Sequence, residues 1–563
     1  MASETSAITF DALAKPAVPA RGSAGQGAAR WVPLVVAAVP CLVFAGLWNA
    51  GWLNWDDTLH VTENPLLNPI TLDGIAHFWT HAYRGLYIPV AYMLFAAETF
   101  AARWLAGAVP DATPDPHLFR LVSIALHATN AVLVAVVLKR LRIGTSFAAA
   151  AGAILFAIHP LQVEAVAWIS EQRGLLAAAL ALGALLCHLE PEPPGGTLVF
   201  RRTDVFAALL FVLALLSKPQ VASWPLVALL LGGLGNSPPI AVRATRLVPW
   251  VLAAAVIVTV SRGLQLGAAI GRDVAWWERP VIAGDALAFY GTKLMLPFHL
   301  ALDYGRTPEL VLASHTHWLV AASSWLALAA AAIALRHHDV LRRSIWVAFL
   351  GLLPTLGFVP FDFQEWSTVA DRYAYVAMLG PALAFGAGCQ LLSCHRAGLW
   401  AGVPLMALAT CGWLSWRQSV CWKDSFTVFQ QCLRVNPNSL PASLNLGNSL
   451  VDAGRIDEAM GHLQHAVTLG NQHPVRHKAF AALANALHRQ GRIAESADVY
   501  RDALRIAPER GDLYNDYGAL LASQGRFAEA AEAFSKAIKL GFDHAEVRRN
   551  LEQARRLADG RRD

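Results

Sequence analysis

The chain has 563 residues, 55% hydrophobic and only 15% charged, with mean hydropathy +0.41 and formal net charge +5. Soluble domains carry about 25% charged residues, so the composition excludes an ordinary soluble protein and indicates a polytopic membrane protein with room for a further domain. The basic residues lie in short loops rather than one patch, which excludes a nucleic-acid footprint.

Residues 1–30, rich in Ala, Gly, Pro and Ser, read as a disordered cytoplasmic tail. Trp31 to Ala50 is long enough to span a bilayer and reads as a signal anchor, not a removed signal peptide. It leads into Gly51-Trp52-Leu53-Asn54-Trp55-Asp56-Asp57, which sets two adjacent carboxylates where a membrane helix would leave the bilayer. Charge costs roughly 2.5–3.5 kcal/mol at mid-bilayer, so such a pair is either kept for a function or opens a solvated loop. The outer loop 52–117 also holds Tyr87 to Leu105, broken by Pro89 and carrying Glu98 and Arg103, which suits an interfacial helix.

Apolar runs predict eleven spans, near 31–50, 118–138, 146–158, 173–189, 204–217, 220–235, 246–261, 318–335, 344–358, 373–391 and 398–416. Basic clusters fall on alternate sides: Arg21 and Arg30, Lys139-Arg140-Leu141-Arg142, Arg201-Arg202, Arg243 with Arg246, Arg336 with Arg342-Arg343, and Arg396. That face is then cytoplasmic, and an odd span number puts everything after Trp416 outside. Segment 262–317 departs from the pattern, because Arg262, Arg272, Arg279, Lys293 and Arg306 fall outside. Its apolar piece, Val281 to Leu302, is interrupted by Lys293 and Pro297 and reads as interfacial or re-entrant. The seven Cys show no metal spacing and no disulfide framework. Cys421 and Cys432 are expected in one helix, roughly 16 Å apart.

Residues 417–563 are polar, helical and repetitive. Gly454-Arg455-Ile456, Gly491-Arg492-Ile493 and Gly525-Arg526-Phe527 recur at spacings of 37 and 34, as do Pro437, Pro474 and Pro508. Leu446-Gly447, Leu483-Ala484 and Tyr517-Gly518 keep the same intervals. This is the tetratricopeptide pattern, in which small residues let the two helices of a hairpin approach. The reading gives a half-repeat at 424–438, repeats at about 439–475, 476–510 and 511–544, and a capping helix at 545–563.

Candidate chemistry lies at the outer ends of the spans. After Ile158-His159-Pro160, a helix continuing to Arg173 would put Glu164, Trp168 and Glu171 on one face. Two carboxylates around an indole form a sugar-like lining, or simply the wet face of an amphipathic helix. His159 reads as a helix-end residue before a metal ligand. Lys218, in Ser217-Lys218-Pro219, either snorkels to the interface or meets a lipid phosphate. Arg372, in Asp371-Arg372-Tyr373, either clamps a phosphate or pairs with Asp371 or Glu365. Acids (Asp56, Asp57, Glu164, Glu171) and bases (Arg173, Lys218, Arg372) on one face suit sugar transfer from a lipid phosphate to a hydroxyl. A carboxylate would then serve as base and cations would hold the leaving phosphate. Adjacent aspartates in an extended loop point apart, so the two are expected to have different tasks. Paired aspartates can hold Mg²⁺ or Mn²⁺, but no full ligand set is visible.

In this order, Trp55-Asp56-Asp57, His159-Pro160 with Val163-Glu164-Ala165-Val166-Ala167-Trp168, Leu216-Ser217-Lys218-Pro219, Leu302-Asp303-Tyr304 and Asp371-Arg372-Tyr373 carry a family likeness. Arg417-Gln418 and Trp422 then lead into the repeats. The chain resembles the transmembrane and tetratricopeptide repeat-containing O-mannosyltransferases and their bacterial relatives in the GT-C superfamily. The resemblance implies an all-α fold: a GT-C-like transmembrane bundle over 31–416 and a tetratricopeptide α-solenoid over 417–563. It implies inverting transfer of mannose or another hexose from a polyprenyl-phosphate donor to Ser/Thr hydroxyls of a protein acceptor held by the repeats. That reaction would lie on the periplasmic side of a bacterial inner membrane. Carried over, the catalytic Asp is Asp56 or Asp57, with Asp56 favoured. His159, Glu164, Trp168, Arg173, Lys218 and Arg372 line the donor side, with Glu171, Asp371 and Tyr373 accessory. The sequence departs from the family at Glu171-Gln172-Arg173-Gly174. The competing reading is a non-enzymatic membrane scaffold whose repeats dock envelope proteins. A transporter fits less well, since no inverted repeat is evident.

Overall fold

The computed structural model describes residues 30–107, 112–191, 200–234, 238–265, 274–394, 402–470 and 475–560. The expected tail 1–29 with Arg21, and also Arg272, Arg396 and Pro474, lie outside the described residues. Among the described residues the chain is helical, with two isolated β-bridges and no strand. It divides into two units. One is formed by residues up to Trp52, Asp56–Leu300 and Arg306–Lys423; the other by Leu53–Trp55, Ala301–Gly305 and Asp424–Asp563.

The first unit opens with α1 (Val32–Val43), α2 (Leu72–Thr80), α3 (Pro89–Ala106), α4 (Pro116–Arg140) and α5 (Ser146–Ile158). Local chemistry sets their ends. Asp115 caps α4, accepting the His117 N–H at 2.8 Å, and Pro116 fills the first helical position. Pro160 forces His159 into an extended conformation and stops α5. There follow α6 (Val163–Ala167), α7 (Gln172–His188), α8 (Arg202–Ser217), α9 (Trp224–Leu231), α10 (Ile240–Gln265) and α11 (Arg279–Met295). The unit ends with α12 (Pro308–Ala313), α13 (His315–Ala334), α14 (Asp339–Leu352), α15 (Leu379–Cys394) and α16 (Gly402–Val420).

Helices stand at all eleven positions where the sequence predicts spans, but four of them are long and apolar enough to cross a membrane. These are Pro116–Arg140, Ile169–His188, Ile240–Leu264 and His315–Ala334. A fifth arises if Ser146–Ile158 and Pro160–Ala167, bent by 53°, form one span. Prolines and polar turns shorten the others, as at Pro160 and Pro219. The α10 and α13 helices turn apolar side chains outward, with Leu252 62%, Leu319 72% and Leu326 70% exposed. Val281 to Leu302, expected to be interfacial or re-entrant, is helical through Met295 and irregular beyond.

The second unit begins with α17 (Ser425–Val435), where Asp424 caps by accepting the Thr427 N–H at 2.9 Å. Cys421 and Cys432 therefore do not share a helix: α16 stops at Val420 and Cys432 lies in α17. The expectation failed because the apolar pattern runs on across a turn that the Asp424 cap creates. The short segments complete this unit. Asp303 accepts from Ser439 Oγ at 2.6 Å and Asn436 Nδ2 at 3.3 Å, and Trp55 lies 5.9 Å from Phe429, ring to ring.

Three hairpins follow: α18 (Leu440–Asp452) with α19 (Ile456–Leu469), α20 (Arg476–Arg489) with α21 (Ile493–Ile506), and α22 (Gly511–Ser523) with α23 (Phe527–Lys539). The α24 helix (Ala545–Asp559) closes the array. Gly454, Gly491 and Gly525 take φ of 75°, 77° and 72°, the left-handed turn that glycine tolerates best. Each following arginine pairs with the glutamate three residues on: Arg455–Glu458, Arg492–Glu495 and Arg526–Glu529. The small positions are set by close approach. A Cβ on Gly447 would meet Leu463 at 2.4 Å, and one on Gly518 the Phe534 ring at 2.9 Å. Gly518→Val should therefore overpack the α22–α23 hairpin and cost about 1–3 kcal/mol. Thermal unfolding of the full chain in detergent, followed by helical circular dichroism, should show an earlier repeat transition.

Candidate active site

The two aspartates do not sit in an extended loop as the sequence suggests. They open a helical turn that runs into a π-helix at Thr58–Thr62, so the pair diverges by helical geometry. Asp57 is fully buried and accepts from the Ser170 N–H at 2.9 Å and from Ser170 Oγ at 2.5 Å. Asp56 keeps 25% of its side chain exposed and faces Arg173, with Oδ2 3.5 Å from Nη2. The two carboxylates are thus committed to different partners. Among the described residues no three His, Cys, Asp or Glu side chains converge as metal ligands.

The expected continuous helix from Pro160 to Arg173 is broken. A 3₁₀ turn at Pro160–Gln162 leads into α6, Trp168 is extended at ψ 114°, and a second 3₁₀ turn at Ile169–Glu171 precedes α7. The break replaces a wet helical face with a buried knot: Glu164, Trp168 and Glu171 are each no more than 2% exposed. Arg120, also buried, holds this knot by donating to the carbonyls of Ala50, Gly51 and Ala167.

Glu171 is the hub. Its carboxylate lies 2.6 Å from Lys218 Nζ, 3.2 Å from Arg173 Nη2 and 3.9 Å from Arg372 Nε. The α7 backbone comes close here, and a Cβ on Gly174 would stand 3.0 Å from Glu171 Oε2. Arg372 pairs with Glu164 rather than with Asp371 or Glu365, the partners considered from sequence. Its N–H also donates to Glu164 Oε2 at 3.3 Å. Its guanidinium stacks on Phe363 at 4.2 Å, Tyr373 at 4.9 Å and Trp168 at 5.2 Å, so it covers the indole expected to line a sugar. Three carboxylates (Asp56, Glu164, Glu171) thus face three cations (Arg173, Lys218, Arg372). Arg173 and Lys218 remain 13% and 14% exposed, while Glu164 and Glu171 are at 1%. Asp56, Arg173 and Lys218 reach the open edge, and Glu164, Glu171 and Arg372 sit beneath. Burial lowers the Lys218 ammonium to about 8, against the pull of Glu171.

His159 stands apart, with Nε2 3.1 Å from the Leu294 carbonyl and Nδ1 accepting the Leu161 N–H at 3.2 Å, as a helix-end residue would. Tyr373 joins through its ring stacking on Arg372, and its carbonyl accepts from Gln220 Nε2 at 2.8 Å. Asp371 is buried beside Arg372 but acts electrostatically on Lys293 and Tyr290. Sequence reasoning missed Ser170, Arg120, His60 and Tyr92. His60 follows Asp56 by one turn, and its Nδ1 lies 3.0 Å from the Tyr92 hydroxyl. Only the polar residues of Thr58–Thr62 hinted at it. Burial holds His60 down at about 4, with Asp56 pulling it up and Arg173 pushing it down.

A tetratricopeptide-repeat family model matches residues 444–511 and 481–543. A Caenorhabditis elegans protein O-mannosyl-transferase is 22% identical over 429 residues, covering 74% of this chain and 59% of the relative. The chain thus spans about three-fifths of that relative's length. Solved structures similar to this chain include the MamA protein (21% identity, 24% of this chain, 72% of that chain, TM-score 0.22) and yeast Tom70 (12% identity, 74% of this chain, 92% of that chain, TM-score 0.24).

The folded state keeps His60 neutral while the unfolded chain protonates it near pH 6.5, so acid favours unfolding. The stability is present above pH 6.5 and is lost as pH falls towards 4. Denaturant unfolding should show His60→Gln less acid-sensitive than the natural protein across that window.

Proposed function

We propose that the chain is an integral-membrane inverting glycosyltransferase of GT-C type. In this reading it moves mannose or another hexose from a polyprenyl-phosphate donor to Ser/Thr hydroxyls of a protein acceptor held by the repeats. The outward apolar faces of α10 and α13 support a bilayer setting, since such faces are rare on soluble proteins. The full eleven-span bundle, a bacterial inner-membrane location and periplasmic placement of the site belong to this reading. The name of the C. elegans relative supports the reaction class.

The observation that carries the proposal is the asymmetry of the aspartates: Asp57 is buried and bonded, whereas Asp56 stands at the rim beside a cation. The donor phosphate meets Arg173 and Lys218 at the open edge, with Arg372 behind them, and competes with the carboxylates for these cations. That competition frees Asp56. Asp56 takes the proton from the acceptor hydroxyl, whose oxygen attacks the anomeric carbon from the face opposite the phosphate. The new C–O bond forms as the phosphate leaves with the bonding electrons, so the anomeric configuration inverts. Phosphate leaves without a general acid because the cations stabilise its charge. Glu164, Glu171 and Trp168 hold Arg372 and Lys218 in place. The Trp168 indole N–H has no hydrogen-bond partner among the described residues.

Asp56→Asn should lower sugar transfer about 10²–10⁴-fold with an unchanged melting temperature. Asp57→Asn should instead cost about 1–3 kcal/mol of stability, because it disturbs a buried acceptor. The assay is glycoproteomics of a deletion strain complemented with each variant, alongside membrane levels and detergent melting curves. Unchanged hydroxyl-linked glycosylation with Asp56→Asn at normal levels would remove the enzyme reading and leave the scaffold.

A further inference from the structure

Helices α18, α20, α21 and α22 line an open groove of about 380 Å³, with Asn448, Lys478, Asn485, His488, Asp512 and Asp516 among its residues. Asn448 in α18 and Asn485 in α20 occupy the same position in successive repeats, directly after Leu446-Gly447 and Leu483-Ala484. Among the described residues neither side-chain amide bonds within the protein. Each offers a donor and an acceptor, the complement of a peptide main chain.

The acids of the third repeat differ. Asp512 is neutralised by Arg510, with Nε–Oδ1 at 3.0 Å and Nη2–Oδ2 at 2.5 Å. Among the described residues Asp516 has only the neighbouring Asn515 amide, at 3.2 Å, and no paired cation. It is open to water but flanked by the groove walls, and the partial desolvation raises its carboxyl to about 6. A groove carboxylate with no cation paired to it among the described residues is complementary to an incoming Lys or Arg. Lys478 lines the same groove and makes no ion pair among the described residues, which disfavours a polybasic tract and favours a single basic residue.

With an extended polypeptide held by its main chain, as tetratricopeptide grooves generally hold one, we infer that this groove selects a segment bearing a Lys or Arg side chain opposite Asp516. The inference rests on the reading that the repeats hold a protein acceptor and names the chemistry of that acceptor.

The test uses the full-length protein in detergent and fluorescein-labelled ten-residue Ala/Ser peptides carrying one central Lys or one central Glu. Fluorescence polarisation should show the Lys peptide binding about tenfold more tightly than the Glu peptide. Asp516→Asn, with its melting temperature checked, should abolish the difference. Asn448→Ala with Asn485→Ala should weaken both peptides alike. Equal binding of the two peptides, no binding, or a preference surviving Asp516→Asn overturns the inference. So does a dimer in sedimentation whose groove the peptides cannot enter, since that assigns the groove to a second copy. The measurement needs neither donor nor turnover, so failure of sugar transfer leaves it standing. Intact transfer without charge preference strikes this inference alone.

Discussion

A carboxylate at 1% exposure stays charged only when cations or hydrogen-bond donors replace its lost hydration, and the site follows from how Glu171 meets that requirement with cations. Arg173 is brought by the first turn of α7, Lys218 by the proline-bounded turn after α8, and Arg372 by the 3₁₀ turn at Asp371–Ala374. One buried charge thereby draws together segments about two hundred residues apart in sequence. Removing a single partner would leave an uncompensated charge in low dielectric, so these positions are mutually dependent.

The same balance explains why the aspartates differ. Asp57 is drawn inward by Ser170, itself positioned where the chain breaks at Trp168, so it secures the loop. Asp56 borrows part of Arg173, which is already committed to Glu171, and keeps a quarter of its side chain in water. A carboxylate that shares its cation is the one an arriving anion can release. In the proposed reaction the donor supplies that anion, so donor binding and base activation are one event.

The repeats rest on local rules. Each hairpin is closed by a left-handed glycine, an arginine–glutamate pair three residues apart, and a small residue under an apolar side chain. Every unit needs only its neighbours, so sequence period and structural period coincide. The groove-facing residues escape that repetition: Asn448 and Asn485 recur, while the third repeat has Ala519 at that position and carries Asp516 one turn earlier.

By itself the sequence determined what depends on short-range pattern: the all-helical class, the hairpin array with its turns, and the apolar segments of the first part. It also singled out Asp56, Asp57, Glu164, Glu171, Arg173, Lys218 and Arg372, because charge in an apolar context is conspicuous wherever it falls. It misread the stretch from Pro160 to Arg173 as one helix, since periodicity carries no sign of a break that long-range ion pairs and Arg120 hold open. It carried Cys421 and Cys432 on one helix for a similar reason. Only the tertiary structure decided which charge meets which, that Arg372 belongs to Glu164, that Asp57 is sealed while Asp56 is not, and that His60 and Tyr92 stand beside them. Such pairings depend on distances between segments far apart in the chain, and local composition does not encode those distances.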